Sequence, residues 1–325
     1  MKGITNASAE RMEMLAGSLS TSANGTFLPR YKGYDYFDRV DVNVDATVYS
    51  KKFLEGTLEE LTPAVMGNAT YITATCFSGD HVLKKVVLNS HCTEIRSNAF
   101  YNAAVEEADL SAANLTKVHN YAFCNCKVKK PLKLGNVDTI GDYAFANLYD
   151  MPSISMGTVR EMGPFCFQNA CALVSQDIPE SCETMKAQAF SVNNANASRA
   201  NKDFHLVLKR EYVVDETDTV VQKGTQMEDD LVKTRSSNSG VMVFVPLNSL
   251  RNYRTRQKFT NLLTVMGAWQ NFNEGETLPS EWVYSVGESS ATYRLTWYKE
   301  GTLLNEVTVA DRSSRYYARV EVVSE

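Results

Sequence analysis

The sequence contains no apolar run that approaches the roughly 18 to 20 residues needed to cross a bilayer. Its first 20 residues also lack the basic stretch followed by an apolar stretch that is typical of a secretory signal. Cations are not in excess, because 33 Lys and Arg stand against 38 Asp and Glu, which gives a net charge of −5. Since nucleic-acid affinity comes largely from clustered Lys and Arg, this balance argues against a nucleic-acid partner. We expect a folded chain without membrane insertion or nucleic-acid binding.

Motifs of catalysis and cofactor binding are missing as well. The sequence has no G-x-S-x-G, no G-x-x-x-x-G-K-[ST], no H-E-x-x-H and no G-x-G-x-x-G. The four histidines have no recurring acidic or cysteine partner and are His81, His91, His119 and His205. Paired carboxylates such as Glu106 and Glu107 are neighbours in sequence and therefore point in different directions. We expect no catalytic residue, no cofactor and no metal ion.

Cysteine is present, but not in a metal-binding pattern. No C-x-x-C pair occurs, and the C-x-C of Cys124 and Cys126 has no histidine at zinc-finger spacing. Disulfides are not expected in a chain without a visible export signal. We predict small buried thiols at all seven positions, which are Cys76, Cys92, Cys124, Cys126, Cys166, Cys171 and Cys182.

A short motif recurs six times at a spacing of 22 or 23 residues. Each copy has a phenylalanine preceded by Ala or Cys, with an apolar residue five positions before the phenylalanine. These pairs are the predicted repeat core: Ile72 and Phe77, Ile95 and Phe100, Val118 and Phe123, Ile140 and Phe145, Met162 and Phe167, Met185 and Phe190. In five copies Gly or Asn stands two positions after the phenylalanine, a residue type that permits a left-handed turn. The sixth copy has Val192 there, so the pattern weakens.

Alternating apolar residues follow each turn, as in Leu83, Val86 and Leu88 or Val105, Ala108 and Leu110. This alternation predicts one strand in each repeat, with one face inward and one face in water. A unit of this size cannot bury its own apolar face, so neighbouring units must stack. The predicted fold is α/β to mainly β, a solenoid of 22–23-residue coils.

The pattern apolar-x-x-x-[AC]-F-x-N, followed by the short strand, resembles the BspA-type leucine-rich repeats of bacterial, protozoan and phage-encoded surface proteins. The resemblance extends from residue 53 to about residue 253. It implies a leading strand within 53–61 and a closing element within 241–253. In that element a strand ends in Val-Pro, and a short helix carries Leu250 and Tyr253.

Three regions are predicted. Residues 1–50 form an N-terminal docking extension, and residues 51–266 form the leucine-rich-repeat solenoid with its Val-Pro cap. An insertion at about 209–240 is expected to be a hairpin or a mobile loop. Residues 267–325 form a small β-domain, in which Lys299, Glu300 and Gly301 supply a hairpin turn.

The outward residues of the predicted strands form what we call the binding stripe: Lys85, Val87, Glu107, Asp109, Lys133, Ser153, Ser155 and Asp177. Its charges are mixed, which suits contact with protein or glycan better than contact with nucleic acid. A long, regularly decorated surface is also what recognition of another large molecule requires.

We therefore expect a non-enzymatic binding or structural module. The specific hypothesis is a bacteriophage virion protein of the tail, fibre or head decoration, located in the virion because no export signal is visible. Its partners would be other virion proteins or a host-surface protein or glycan, and it would form a homo-oligomer or part of a larger assembly. The alternative is a bacterial or protozoan cell-surface adhesin exported by a non-Sec route, and an enzyme is the third class considered.

Overall fold

The computed structural model describes residues 19–21, 27–31, 34–35, 59–66, 69–192, 204–228, 241–256, 265–286, 289–299, 302–304, 309–311 and 314–324. The strands of these residues are β1 (Leu19–Thr21), β2 (Phe27–Tyr31), β3 (Tyr34–Asp35), β4 (Glu60–Leu61), β5 (Tyr71–Ile72), β6 (Lys85–Val87), β7 (Glu94–Ile95), β8 (Glu107–Val118), β9 (Leu132–Ile140), β10 (Ile154–Ser155), β11 (Val159–Met162), β12 (Ser175–Ile178), β13 (Thr184–Met185), β14 (Phe204–Leu208), β15 (Val213–Val214), β16 (Val220–Gln222), β17 (Gln226–Met227), β18 (Val241–Pro246), β19 (Val265–Phe272), β20 (Glu281–Val286), β21 (Ser289–Lys299), β22 (Thr302–Leu303) and β23 (Ser314–Ser324). The helices of the same residues are α1 (Pro63–Met66), a 3-10 turn (Leu247–Ser249) and α2 (Leu250–Arg256). Across these described ranges, every helix is too short or too polar to span a membrane.

The repeats coil into a solenoid with two ladders of parallel strands, and this confirms the predicted leucine-rich-repeat solenoid. The front ladder contains β4, β6, the starts of β8 and β9, β10, β12, β14 and β18. The back ladder contains β5, β7, the ends of β8 and β9, β11, β13 and β17. The prediction of one strand in each repeat is wrong, because each coil contributes a segment to both ladders. Most back-ladder segments are only two residues long, too short for an alternating pattern to register.

The arch that joins the back ladder to the next front strand carries the phenylalanine of each repeat. Ring centroids of successive phenylalanines from Phe77 to Phe190 lie 4.6 to 5.4 Å apart, and the rings are stacked. All twelve predicted repeat-core residues are 0% exposed. Each arch also bonds to the next one through its main chain, as where the Phe100 N–H donates to the Ala122 carbonyl at 2.7 Å. Stacked rings and arch hydrogen bonds together hold the coils in register.

Two left-handed residues flank each phenylalanine in the first five arches. The one that follows it is Gly79, Asn102, Asn125, Asn147 or Asn169, as the turn prediction required. The one two positions before it was not foreseen, because it includes the bulky residues Tyr121, Tyr143 and Phe165 at φ of 54 to 59°. These three rings stack on one another at 5.0 and 4.7 Å, which offsets the cost of left-handed backbone at an aromatic residue.

The C-terminal end of the solenoid is closed as the resemblance implied. β18 ends at Pro246, and the following helical segment buries Leu250 and Tyr253 completely. The sheet then continues without interruption, because β19 pairs parallel with β18 and antiparallel with β23. β23 pairs with β21, which pairs with β20 and also with β22. Lys299 and Thr302 are register partners, and Glu300 and Gly301 of the predicted hairpin turn lie outside the described residues.

The described part of the insertion predicted at about 209–240 contains a hairpin and a segment of the back ladder. β15 and β16 form an antiparallel hairpin, in agreement with the hairpin prediction. β17, however, belongs to the back ladder, where Met227 pairs with Met185, so this segment is a regular part of a coil. Residues 229–240 lie outside the described residues.

The N-terminal extension is described only where it forms a small antiparallel sheet of β1, β2 and β3. The rest of the predicted docking extension lies outside the described residues, as does most of the predicted leading strand at 53–61. β4 is the part of that leading strand that the structure describes.

Candidate functional site

The binding stripe lies on the outward side of the front ladder. The structure leaves all eight of its residues half-buried or exposed. Val87, Asp109 and Lys133 stand in one row, because each is the register partner of the next. Ser155 extends this row as the partner of Lys133, and Lys85 and Glu107 form a second row beside it. Parallel pairing therefore converts residues 22 to 24 positions apart into continuous rows.

Opposite charges pair across the strands of the stripe. Lys133 Nζ lies 2.8 Å from Asp109 Oδ2, and Lys85 Nζ lies 3.8 Å from Glu107 Oε1. Partial burial raises the pKa of Asp109, but hydrogen bonds from Lys133 and Ser111 outweigh burial and leave this pKa below its ordinary value. Internal pairing keeps the rows close to neutral, so the stripe presents hydrogen-bonding groups and paired charges rather than a field of one sign.

The stripe ends where the C-terminal strands cover the front ladder. Val207 and Phe244 occupy outward positions in the row that continues from Asp177, yet both are 0% exposed. The ring of Tyr317 packs edge-on against Phe244 at 4.9 Å, and Trp269 packs on the same cluster. The exposed part of the front ladder therefore runs from β6 to β12.

A cleft interrupts this exposed part between β10 and β12. β10 pairs with β9, β12 pairs with β14, and no hydrogen bond among the described residues joins β10 to β12. The cleft has a volume of about 470 Å³ and is lined by residues 153–156 of one coil, by 175–177, Pro179 and Glu180 of the next, and by Lys209 at the end of β14 in the coil after that. Ser153, Ser155 and Asp177 of the binding stripe thus lie on its walls.

The opening is confined to the front ladder. On the back ladder the same two coils stay joined, because Met162 and Met185 are register partners. Their arches are joined by the Phe167 N–H, which donates to the Ala189 carbonyl at 2.8 Å. The Ser181 hydroxyl accepts a hydrogen bond from the Val159 N–H and donates one to the Val159 carbonyl, both at 3.0 Å. The cleft is therefore a local gap in one ladder of an otherwise closed stack.

The core-facing residue of β12 at this gap is Gln176. It occupies the core-facing position that other front strands fill with apolar residues such as Leu132 and Ile154, and it is 3% exposed. A buried amide requires hydrogen bonds, and Gln176 Nε2 donates to the Asp177 carbonyl at 2.8 Å. In a closed parallel ladder that carbonyl would accept from the Met156 N–H, as the alternation of the neighbouring strands shows. The glutamine thus bonds to a carbonyl that would be a ladder acceptor if β10 and β12 were paired.

Sequence reasoning missed half of the cleft. Ser153, Ser155 and Asp177 were predicted as outward residues of the stripe, but Gln176, Glu180 and Lys209 were not recognised as part of a surface. A polar residue at the core-facing position of β12 was the signal available in the sequence. Lys209 reaches the cleft because β14 pairs with β12, and its Nζ lies 3.2 Å from Asp177 Oδ2.

The seven cysteines are free and buried, which confirms the prediction of small buried thiols. Burial raises the pKa of Cys92 and Cys182 to about 12 and that of Cys124 to about 11. A thiol with so high a pKa is protonated at neutral pH and is a poor nucleophile or metal ligand. In the part of the chain that the structure describes, no group of three or more His, Cys, Asp and Glu could hold a metal ion.

These thiols give a prediction for labelling and for pH dependence. We expect slow labelling of the native protein by a thiol reagent at pH 8 and rapid labelling of all seven thiols in guanidinium chloride. The free energy of unfolding should decrease as pH rises above about 9, where cysteines of the unfolded chain ionise, and continue to decrease up to about 12. A thiol that reacts rapidly in the native protein would contradict this interpretation.

The histidines do not converge on the stripe or the cleft. His119 Nε2 lies 3.5 Å from Glu94 Oε2 beside the back ladder, away from the stripe. Burial and the neighbouring Lys117 lower the pKa of His119 and outweigh the opposite effect of Glu94. His205 packs against Phe244, with 5.2 Å between the ring centroids. His119 and His205 therefore both contact residues of the solenoid itself.

Parallel ladders stacked around a continuous core, with one long face in solvent, define a solenoid repeat protein. The model of the BspA type leucine-rich repeat region matches residues 47–156 and 70–197, in six copies. This part of the chain is therefore a BspA-type leucine-rich repeat region, a kind of repeat that generally serves in binding rather than catalysis.

Among solved structures, the chain is similar to a leucine-rich repeat protein from Bacteroides ovatus ATCC 8483, with 15% sequence identity and a TM-score of 0.37 over 66% of this chain. The match spans 65% of the length of that protein. A search of curated proteins found no match to the chain.

Proposed function

We propose that this chain is a non-enzymatic binding module that contacts another protein through the binding stripe. The observation that supports this function is the exposed front ladder, in which in-register rows run from β6 to β10 and end at the cleft beside β12. Lys133 and Ser155 are exposed on this surface. Because the stripe is built on strands held by the stacked core, its side chains are fixed before a partner arrives, which reduces the entropic cost of binding.

Protein contact is favoured over nucleic-acid contact by the charges themselves. Lys85 and Lys133 are paired with Glu107 and Asp109, so these ammonium groups are not available as a cationic track for phosphates. A protein surface with its own mixed charges can exchange these pairs for intermolecular ones without leaving a charge buried and unpaired.

The setting that we propose is a bacteriophage virion, in which the chain contacts other virion proteins or a protein or glycan of the host surface. A bacterial or protozoan cell-surface adhesin is the second candidate, and BspA-type repeats support adhesion as readily as assembly. Mass spectrometry of purified virions distinguishes the two settings. Recovery of the chain at a fixed ratio to other virion proteins supports the first, and its recovery from cell envelopes supports the second.

Site-specific photo-crosslinking tests the stripe itself. We expect a benzophenone amino acid at Lys133, on the front ladder, to give a discrete crosslinked species with the partner. The matched control is the same group at Arg160, an exposed residue of β11 on the back ladder, where no such species is expected. Equal crosslinking from both positions would mean that contact is not directed by the stripe.

A charge reversal gives a second test of the stripe. Lys133→Glu places two carboxylates in the register pair with Asp109, so we expect weaker partner binding with little change in the thermal midpoint. The stability change should be small because the ammonium group lies at the surface. Partner affinity measured by biolayer interferometry beside a thermal melt separates the two effects. Unchanged affinity would remove this row from the interface.

A further inference from the structure

We propose that the cleft between β10 and β12 binds an extended polypeptide segment of the partner by adding it to the facing strand edges. This inference rests on the proposed function and names the chemistry that the stripe recognises at its centre. The partner segment is an extended stretch of about four residues with a cationic side chain facing solvent. This is the length of β12, since four strand residues span about 13 Å.

The main chain identifies the occupant. Along β12 the carbonyls of Val174 and Ile178 accept from β14, so the main-chain groups of Ser175 face the cleft. Along β10 the Ser153 carbonyl accepts a hydrogen bond from the Leu132 N–H of β9. The main-chain groups of Ile154 and Met156 therefore face the cleft from the other side. Two rows of peptide donors and acceptors meet here, and among the described residues neither row pairs with the other. An extended peptide backbone matches such edges, whereas a sugar or a helix does not present groups at strand spacing.

The side chains of the cleft select the type of segment. Ile154 is 8% exposed and Met156 is half-buried, so an inward side chain of the added strand would meet an apolar floor. Among the described residues that line the cleft, Asp177 and Glu180 carry carboxylates and Lys209 carries the one ammonium group. A segment with apolar residues inward and Lys or Arg outward therefore fits the cleft best.

The closed part of the front ladder contains a segment with this pattern. In β9, Leu132 and Leu134 face the core, while Lys133 faces solvent and pairs with Asp109. A synthetic peptide of residues 131–136, acetylated and amidated, is therefore a suitable probe. In the cleft its lysine would lie in the row of Ser155 and Asp177, next to the carboxylates that line the cleft.

The test uses the whole chain and this peptide, with backbone amide hydrogen exchange as the readout. We expect the peptide to slow exchange in the segments 154–156 and 175–177 and to leave the back ladder, such as Met162 and Met185, unchanged. The same peptide with N-methyl groups on two alternate residues cannot form one edge of the ladder, so we expect it to give no protection. A peptide with Glu in place of the lysine should bind about tenfold more weakly.

Substitution at Ser175 separates main-chain from side-chain recognition. Ser175→Pro removes an N–H that faces the cleft, a position where an edge strand tolerates proline, and should weaken peptide binding about tenfold. Ser175→Ala keeps the N–H and should leave affinity within about twofold of the unchanged protein. If the proline variant does not fold, the exchange experiment on the unchanged chain still decides the matter.

Protection confined to the two segments and abolished by N-methylation establishes strand addition. Absence of protection at millimolar peptide, protection elsewhere, or binding that N-methylation leaves intact would overturn the proposal. If it is overturned while the benzophenone at Lys133 still captures the partner, the proposed function stands and only the strand-addition chemistry is wrong. If both fail, the front ladder is not the interface.

Discussion

Replacing Phe123 with alanine is expected to lower the free energy of unfolding by about 3 to 5 kcal/mol. The Phe123 ring is 0% exposed and stacks on Phe100 at 4.6 Å and on Phe145 at 5.4 Å, so its removal leaves a cavity between two further rings. The arch cannot collapse to fill this space, because the Phe123 N–H is held by the Ala144 carbonyl at 2.7 Å. Chemical denaturation followed by circular dichroism measures the loss.

The matched control is Phe123→Leu, which keeps most of the buried volume and should cost less than half as much as the alanine variant. Because each coil contacts only its neighbours, amide exchange in the alanine variant should increase first in the arches of Phe100 and Phe145. A loss below about 1 kcal/mol, or a uniform increase in exchange along the chain, would contradict a central role of the ring stack.

Replacing Tyr253 with alanine is expected to have an effect of similar size, about 4 to 6 kcal/mol, at the closing end of the solenoid. The ring is 0% exposed, and a Cβ at Gly224 would overlap it, so the glycine and the tyrosine fit each other closely. The hydroxyl accepts a hydrogen bond from the Thr225 N–H at 2.8 Å and donates one to the Arg210 carbonyl at 2.7 Å. Alanine would create a cavity and leave both main-chain groups without this partner.

Tyr253→Phe isolates the hydroxyl. It should cost about 1 to 3 kcal/mol, because the ring remains while two buried hydrogen bonds are lost. Denaturation curves of the two variants side by side give the separate contributions of ring and hydroxyl. If the phenylalanine variant were as stable as the unchanged chain, the hydroxyl would not be what joins helix α2 to the last coil.

The repeat and its core could be predicted because the same chemistry recurs at each coil. Phenylalanine after a small residue, with Asn two positions later, predicts a buried ring and a left-handed turn. As that pattern requires, the φ angles of these asparagines lie between 57 and 63° at Asn102, Asn125, Asn147 and Asn169. The closing element was also visible, since Pro246 and the following helical residues form a distinct local signal. Where the information is local and repeated, sequence pattern and structure agree.

The back ladder could not be predicted because its information is not local. A segment such as β7 has one inward residue, Ile95, and one outward residue, Glu94, and two residues show no alternation. Its strand character arises only when Tyr71 and Lys117 pair with Glu94 from the neighbouring coils. The cleft was missed for a related reason, since the position of Gln176 in the front ladder can be assigned only when the strand on either side is known.

The arches between Phe77 and Phe190 share one geometry, while α2 and β19 fix the far end. Duplicating or deleting a whole 22- or 23-residue unit within this span would reproduce the ring stacking of the arches at each junction. A unit added after Pro246 would instead have to break the parallel pairing with β19. The reach of the molecule can therefore evolve in steps of one coil, about 4.8 Å each, while the surfaces at its two ends stay as they are.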